Sequence, residues 1–547
     1  MKPLSGMDAS FLYMETPQTP MHVAGLSIVE LPRGFKGNFY EHYKRQIAAR
    51  LHLFPVLKKK IVPVPWDIDH PIWLDDDELD IDYHVRHLGL PEPGTMEQLE
   101  ELVGRLHSNF LDRSRPLWEF YVIDGLGDGR HAIYTKIHHA AVDGGAGMAL
   151  TNMMYDTSPA GRQIEPAPAA SANPEVQPDA LALLGSAFRN MLSQELSALQ
   201  RIPDVLKAIA SVVAPVARNV VRSPANGLPN LVAPRTMLNA TITSQRAFTM
   251  RSLSLADAKA VAKETGTKLN DIVMAICAGA LRRYLLEKHG LPKEPLVAFV
   301  PVSLRAPGDT ASTNQVSVML CSLATDVKDP VERLKAIQAS SLGAKELSGK
   351  VKDVTPRDFS IFGAPVVLHG AMELWGRSHL ADRLPPAANV VVSNVPGPQV
   401  PLYVASARVL TLYPVSIPTH GMALNITVQS YCGSLDFGLT ACRRTVPDLH
   451  KLADYLDESL AELHEAVIGS RAGKAAASRP GSPSRGRKKA PAAVPARERA
   501  ATKGGARRAP PERAPAATQP AARKPARSAP ASTKRSPSAK AGKAVRA

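Results

Sequence analysis

Tyr134-Thr135-Lys136-Ile137-His138-His139-Ala140-Ala141-Val142-Asp143-Gly144 is a strand pattern that ends in two histidines and an Asp-Gly turn. Ile133, Thr135 and Ile137 alternate with Ala132, Tyr134 and Lys136, the period-2 pattern of a strand. Two histidines end the run, and Asp143-Gly144-Gly145 turns the chain toward a following helix. The pattern is HHxxxDG. A histidine at a strand end can present a ring nitrogen to a cleft and, near neutral pH, take a proton from a substrate hydroxyl. A metal site is the competing reading. Adjacent side chains on a strand point to opposite faces, so His138 and His139 do not easily share one ion. The spacing favours one catalytic histidine beside one structural neighbour, and no metal.

Other short blocks flank this one. Leu4-Ser5-Gly6-Met7-Asp8-Ala9-Ser10-Phe11-Leu12 runs on to Thr16-Pro17 and Pro20-Met21-His22. Arg115-Pro116-Leu117-Trp118-Glu119 carries a PLW block, and Asn270-Asp271 stands at a helix start. Val300-Pro301-Val302-Ser303-Leu304-Arg305 and Ser393-Asn394-Val395-Pro396-Gly397-Pro398 follow. With HHxxxDG, these blocks in this order over residues 1–470 resemble the bacterial wax ester synthase/diacylglycerol acyltransferase family. That family is a branch of the superfamily that includes chloramphenicol acetyltransferase, plant alcohol acyltransferases and peptide-synthetase condensation domains.

The resemblance implies an α/β fold of two chloramphenicol-acetyltransferase-like subdomains, the CoA-dependent acyltransferase fold, with a tunnel between them. It implies transfer of a long-chain acyl group from acyl-CoA to diacylglycerol, to a long-chain fatty alcohol, or to both. His139 is then the general base, acyl-CoA is a co-substrate, and no further cofactor is needed. His138 is expected to support the strand. Asp143 is expected to fix the loop through an arginine or backbone contacts rather than act on His139. Gly144 and Gly145 give the backbone freedom near substrate. Pro116, Leu117 and Trp118 either line the acyl channel or, in the case of Trp118, fill the core. Asn270 of the Asn270-Asp271 pair is either an oxyanion donor or a helix N-cap. Ser393 and Asn394, ahead of Pro-Gly-Pro, either shape the tunnel mouth or the CoA site or lead into an ordinary rigid turn. Asp436-Phe437-Gly438 matches part of the DFGWG motif of the plant branch, but Leu439 replaces its Trp. Two alternatives stand beside this reading: a condensation-type HHxxxDG enzyme, and a non-catalytic protein that binds lipid surfaces.

Composition is consistent with a cytoplasmic enzyme. The N-terminus has no apolar run of the signal-peptide kind, and no stretch is apolar enough for a transmembrane helix. Cys277, Cys321, Cys432 and Cys442 show no CxxC spacing, as suits unpaired thiols in a reducing compartment. Charge is placed unevenly. Residues 471–547 hold 21 Lys or Arg against two Glu, a net of +19, while the whole chain carries +16 and residues 1–470 therefore −3. This tail has no aromatic residue and is expected to be disordered. Its charge suits anionic lipid or, as a second choice, nucleic acid. Peripheral association with the inner membrane or lipid droplets is expected.

The chain divides into an N-terminal acyltransferase subdomain (1–159), a linker and helical crossover (160–233), a C-terminal subdomain (234–470) and the basic tail (471–547). Leu181, Leu184, Phe188, Leu192, Leu196 and Leu199 give the crossover its helical spacing. It either packs on the enzyme or binds a surface as an amphipathic segment. In the C-terminal subdomain Ser254 caps a helix, 269–284 is helical, and strands fall at 296–302, 317–324, 389–394, 409–413 and 422–431. Cys432-Gly433-Ser434 turns the last of these into 435–442, and Leu449, Leu452, Leu456, Leu460, Leu463 and Val467 mark a closing helix.

Overall fold

The computed structural model describes residues 2–67, 69–142, 146–166, 179, 183–185, 233–288, 290–303, 316–351 and 364–469. All of them fall in one compact unit, residues 1–479. Asp143, Gly144, Arg305, the basic tail and nearly all of the helical crossover lie outside the described residues.

The strands in chain order are β1 (Lys2–Pro3), β2 (His22–Glu30), β3 (Lys59–Val62), β4 (Ile72–Asp75), β5 (Val85–Gly89), β6 (Trp118–Asp124), β7 (His131–His138) and β8 (Arg246–Ser254). They continue with β9 (Val297–Ser303), β10 (Val316–Ser322), β11 (Val390–Val395), β12 (Tyr403–Val404), β13 (Ala407–Val415), β14 (Leu424–Tyr431) and β15 (Ser434–Cys442). Two six-stranded sheets result, ordered β12-β13-β2-β7-β6-β5 and β10-β9-β11-β14-β15-β8, with a small β1-β4-β3 sheet beside them. Helices separate the strands, which is the expected α/β class.

The alternation read around the histidines places the two faces of β7 in separate parts of the core. Ile133 and Ile137 pack with Trp118, Phe120 and Val122 on one face. Ala132 and Tyr134 pack with Tyr121 and Ile123 on the other. With β2 and β6 as neighbours, β7 is interior, and its described residues are buried from Ala132 to His138. Even Lys136 is fully buried there.

The second half follows the expected elements closely. Ser254 caps the helix Leu255–Thr265 by accepting the Asp257 N–H at 3.1 Å. The helix Leu269–Lys288 and the closing helix Leu449–His464 pack on the second sheet in one apolar cluster. The boundary at residue 234 does not confine each sheet to its own half of the chain. β13 leaves the second half and pairs antiparallel with β2, from Arg408 opposite Glu30 to Val415 opposite Ala24. Val409 and Leu412 join the buried cluster around Tyr43, Ile47 and Trp118, so the exchange covers an edge that β2 would otherwise expose.

The close approach of β13 and β15 depends on the Asp436-Phe437-Gly438 fragment. A Cβ on Gly438 would lie 1.7 Å from the Pro414 carbonyl oxygen, so only glycine lets β15 and β13 approach this closely. Two residues earlier, buried Asp436 accepts the Leu412 N–H at 2.8 Å and the hydroxyls of Ser252 and Ser434 at 2.6 Å. Burial pushes its carboxyl up.

Candidate active site

β7 ends at His138, and His139–Ala141 forms a single 3-10 turn. The backbone of this turn is anchored on both sides. The His138 N–H donates to the Leu117 carbonyl at 3.0 Å, and the His139 N–H donates to the Met21 carbonyl at 2.8 Å. His22 stands opposite His138 in the β2–β7 register.

The two histidines have different environments. His138 is 1% exposed. Its Nδ1 accepts the Ala140 N–H at 3.1 Å. Nε2 lies 3.2 Å from Glu15 Oε2. His138 is thus buried at the strand end, with Nδ1 on the backbone and Nε2 within ion-pair distance of Glu15. His139 is half-buried on the turn, and its ring stacks on Phe11, with centroids 3.9 Å apart and planes 14° from parallel.

Glu15 is the residue that sequence reasoning missed. It is buried, and Arg113 holds its Oε1 through Nε and Nη2 at 3.1 and 2.8 Å. Its Oε2 accepts the Met21 N–H at 3.0 Å. Burial pushes this carboxyl up, but His138, Arg113 and the Met21 amide outweigh burial and hold it at about 2. Only its place between the Leu4–Leu12 block and Thr16-Pro17 could have drawn attention to it.

A second buried polar group lies further along the strands. Lys136 Nζ is 2.9 Å from Glu119 Oε2, which also accepts the Tyr121 hydroxyl at 2.7 Å. Arg86 Nη2 approaches Glu119 Oε1 at 3.1 Å. Burial pushes the Lys136 ammonium down, and Glu119 opposes that shift. His22 Nε2–H donates to the His107 carbonyl at 2.9 Å, and burial drives its titration well below the ordinary range. His107 sits 2.8 Å from the Tyr134 hydroxyl through Nδ1 and 3.0 Å from the Ser416 carbonyl through Nε2, and burial pushes it down to about 3. Both are neutral structural histidines at physiological pH.

The structure places the other motif residues as follows. Pro116, Leu117 and Trp118 are all buried. Trp118 donates Nε1–H to the Leu57 carbonyl at 2.8 Å and stacks on His84 at 4.4 Å, so it is a core aromatic. Leu117 packs with Leu4, Leu12 and Ala140, which makes this block part of the support of the histidine turn. Asn270 lies inside the first turn of its helix and not at the N-cap. Asp271 does the capping work instead: Oδ2 accepts the Lys268 N–H at 3.1 Å and Oδ1 accepts the Ser341 hydroxyl at 2.8 Å. Ser393 and Asn394 are half-buried on β11, opposite Thr427 and Val428 of β14. The turn after them is tight, because a Cβ on Gly397 would lie 2.2 Å from the Ser430 carbonyl oxygen.

Two further contacts join the halves of the chain. Glu100, on the helix Met96–Ser108, accepts the Thr249 hydroxyl and the Met250 N–H of β8, each at 2.9 Å. The helix Ala364–Arg377 packs on the helix Gly6–Met14, where His369 Nδ1 is 3.2 Å from the Tyr13 carbonyl.

With this geometry established, comparison with known proteins gives a consistent result. The wax ester synthase/diacylglycerol acyltransferase catalytic domain matches residues 4–273, and the WS/DGAT C-terminal domain matches residues 312–464. A Mycobacterium tuberculosis protein described as a probable diacylglycerol O-acyltransferase is 39% identical over 464 residues, covering 84% of this chain and 98% of its own. The O-acyltransferase WSD of Acinetobacter baylyi is 34% identical over 476 residues, covering 86% of this chain and 98% of its own. The solved wax ester synthase/diacylglycerol acyltransferase of Marinobacter aquaeolei is 34% identical, superposes with a TM-score of 0.61, and covers 86% of this chain and 100% of its own. A condensation domain of the calcium-dependent antibiotic synthetase, 14% identical with a TM-score of 0.51, shares the fold alone. On the two domain matches and these identities, the chain is an acyltransferase that belongs to the wax ester synthase/diacylglycerol acyltransferase family.

Proposed function

We propose that this enzyme transfers a long-chain acyl group from acyl-CoA to the hydroxyl of diacylglycerol or of a long-chain fatty alcohol, with His139 as general base. The observation that carries the assignment of the base is the contrast between neighbours. His138 is buried, with Nδ1 on the Ala140 N–H and Nε2 3.2 Å from Glu15, whereas His139 is half-buried on the turn beyond the strand. An alcohol is a poor nucleophile at neutral pH, and removing its proton as it attacks is work suited to an imidazole. The alcohol oxygen bonds to the thioester carbonyl carbon while its proton passes to His139. The resulting oxyanion collapses, the carbon–sulfur bond breaks, and the proton leaves with CoA as its thiol. The step needs no covalent enzyme intermediate. Asn270 is the candidate oxyanion donor, and Ser393 and Asn394 are candidates for shaping the acyl-CoA site. Asp143 and Gly144 complete the motif.

The substrates are insoluble in water, so the enzyme is proposed to work at a membrane or lipid-droplet surface. Among the described residues no helix is long and apolar enough to cross a membrane. Trp66 is 77% exposed, and an aromatic with a polar edge is suited to a lipid interface. The decisive experiment offers purified protein palmitoyl-CoA with hexadecanol and with diacylglycerol in parallel, and resolves the esters. Thioester consumption with neither acceptor esterified would overturn the proposal. Amide formation on an amine acceptor in place of ester would favour the condensation-type alternative.

A further inference from the structure

The helix Gly6–Met14 holds the His139 turn from one side. It is capped by Ser5, whose side chain accepts the Asp8 N–H at 3.1 Å. Leu4, Ala9 and Leu12 pack with Leu111, Leu117 and Ala140, and Phe11 borders the same cluster. Just after the helix, Glu15 accepts the Met21 N–H, and the Met21 carbonyl accepts the His139 N–H. The backbone of His139 is thus tied to the end of this helix, and its ring lies flat against Phe11 on the helix itself.

We propose that Phe11 is a positioning residue for acyl transfer: by stacking on His139 it holds the imidazole in one orientation and favours its protonated form in the transition state. The proposal rests on the assignment of His139 as the base. The outer torsion of a histidine side chain is broad, so packing and not intrinsic preference must select one ring orientation. A flat stack covers one face of the ring and fixes the plane in which its nitrogens lie. Proton transfer depends on that orientation, since misplacing a reacting group by about 1 Å costs on the order of 100-fold in rate. When the ring takes up a proton, the resulting cation lies over the negative face of an aromatic ring, an attraction that an aliphatic side chain cannot supply. Phe11 touches His139 and acts through it.

The test compares Phe11→Leu, Phe11→Met and Phe11→Tyr with His139→Ala in the full chain, using palmitoyl-CoA and hexadecanol. Leucine and methionine fill most of the space without a π face, and tyrosine keeps the face. Conclusions rest on whichever aliphatic variant retains the wild-type melting temperature. The expected result is a fall in kcat of roughly 10-fold or more for the aliphatic variant, with KM for palmitoyl-CoA unchanged, and near-normal kcat for Phe11→Tyr. A folded aliphatic variant with kcat within about twofold of wild type would overturn the proposal while leaving the base assignment standing. Equal loss in the aliphatic and tyrosine variants, accompanied by a lower melting temperature, would show Phe11 to be packing alone. Normal turnover by folded His139→Ala would remove the base assignment itself, a result distinct from either.

Discussion

The central strands of the first sheet bury ionised groups, whereas those of the second bury almost none. β6 and β7 enclose Glu119 and Lys136 and end in His138, with Glu15 and Arg113 closing the group at the strand end. β14 and β15 enclose Ile426, Val428, Leu435, Phe437, Leu439 and Ala441, and their one carboxylate, Asp436, is taken up by hydroxyls and a backbone amide. The helix Leu269–Lys288 on the second sheet likewise buries a single charged residue, Asp271. Buried charges are costly unless paired, and a pair broken on one side is far worse than a lost methylene. The first sheet therefore invests its pairs where the histidine turn must be held still, and the second supplies apolar bulk. Rigid polar support beneath a reacting group is what differential stabilisation of a transition state requires.

The sharpest break of this comparison is at the base. His139→Ala is expected to lower turnover by roughly 10²–10⁴-fold with the fold intact, whereas His138→Ala should cost less chemistry and more stability. Steady-state rates beside melting curves decide it, and the reverse order would exchange the roles of the two histidines.

Next comes the asymmetry in stability. Glu119→Ala leaves Lys136 buried without its carboxylate and should cost about 3–5 kcal/mol. Leu439→Val in the second sheet should cost about 1 kcal/mol, as a single methylene does. Urea titration of both variants measures this directly, and comparable losses would mean that the buried ions are not the special feature of the first sheet.

The carboxyls of Glu15 and Glu100 respond to pH with opposite sign. Glu15 titrates at about 2 in the fold against an ordinary 4.5, so its contribution is fully present above pH 4.5 and is lost as pH falls toward 2. Glu100 is pushed up by burial to about 7, against the bonds from Met250 and Thr249, so its protonated form is favoured in the fold and stability falls as pH rises from 4.5 to 7. Each effect is on the order of 3 kcal/mol. Glu15→Gln should flatten the acid side of a stability–pH curve, and Glu100→Gln the near-neutral side. A curve unchanged by either substitution would refute the corresponding assignment.

The smallest effect on catalysis is expected from the tail. A chain ending at Ser470 should turn over detergent-dispersed substrate normally but lose salt-sensitive sedimentation with anionic vesicles, because the +19 of residues 471–547 is removed. Equal sedimentation of the two forms would exclude the tail from lipid binding.

Much of the fold was legible because it is written in short-range pattern. The alternation at Ala132–Ile137, the Ser254 cap, the strand runs of the second half and the apolar spacing of the closing helix all reappear in the structure within a residue or two. Of the site, HHxxxDG marked the turn and separated the two histidines. Other motif residues were ambiguous at that level. Trp118 and Asn270 each had two readings, and the structure assigns the first to the core and moves the second off the N-cap. Phe11 was quoted within a block, but nothing local says that its ring meets His139.

Local pattern alone carries the order and kind of elements, the identity of the histidine turn, the separation of charge between residues 1–470 and the tail, and, through the ordered motifs, the family. Periodicity, capping and composition act over a few residues, so they can be read without knowing what lies opposite. Tertiary structure alone decided that β13 would cross to the first sheet, that Gly438 would admit it, and that Glu15 and Arg113 would hold His138. Those outcomes depend on which distant groups packing brings within a few ångströms. A carboxylate such as Glu15 reads as an ordinary surface residue until burial removes its water and leaves Arg113, His138 and the Met21 amide as its solvent.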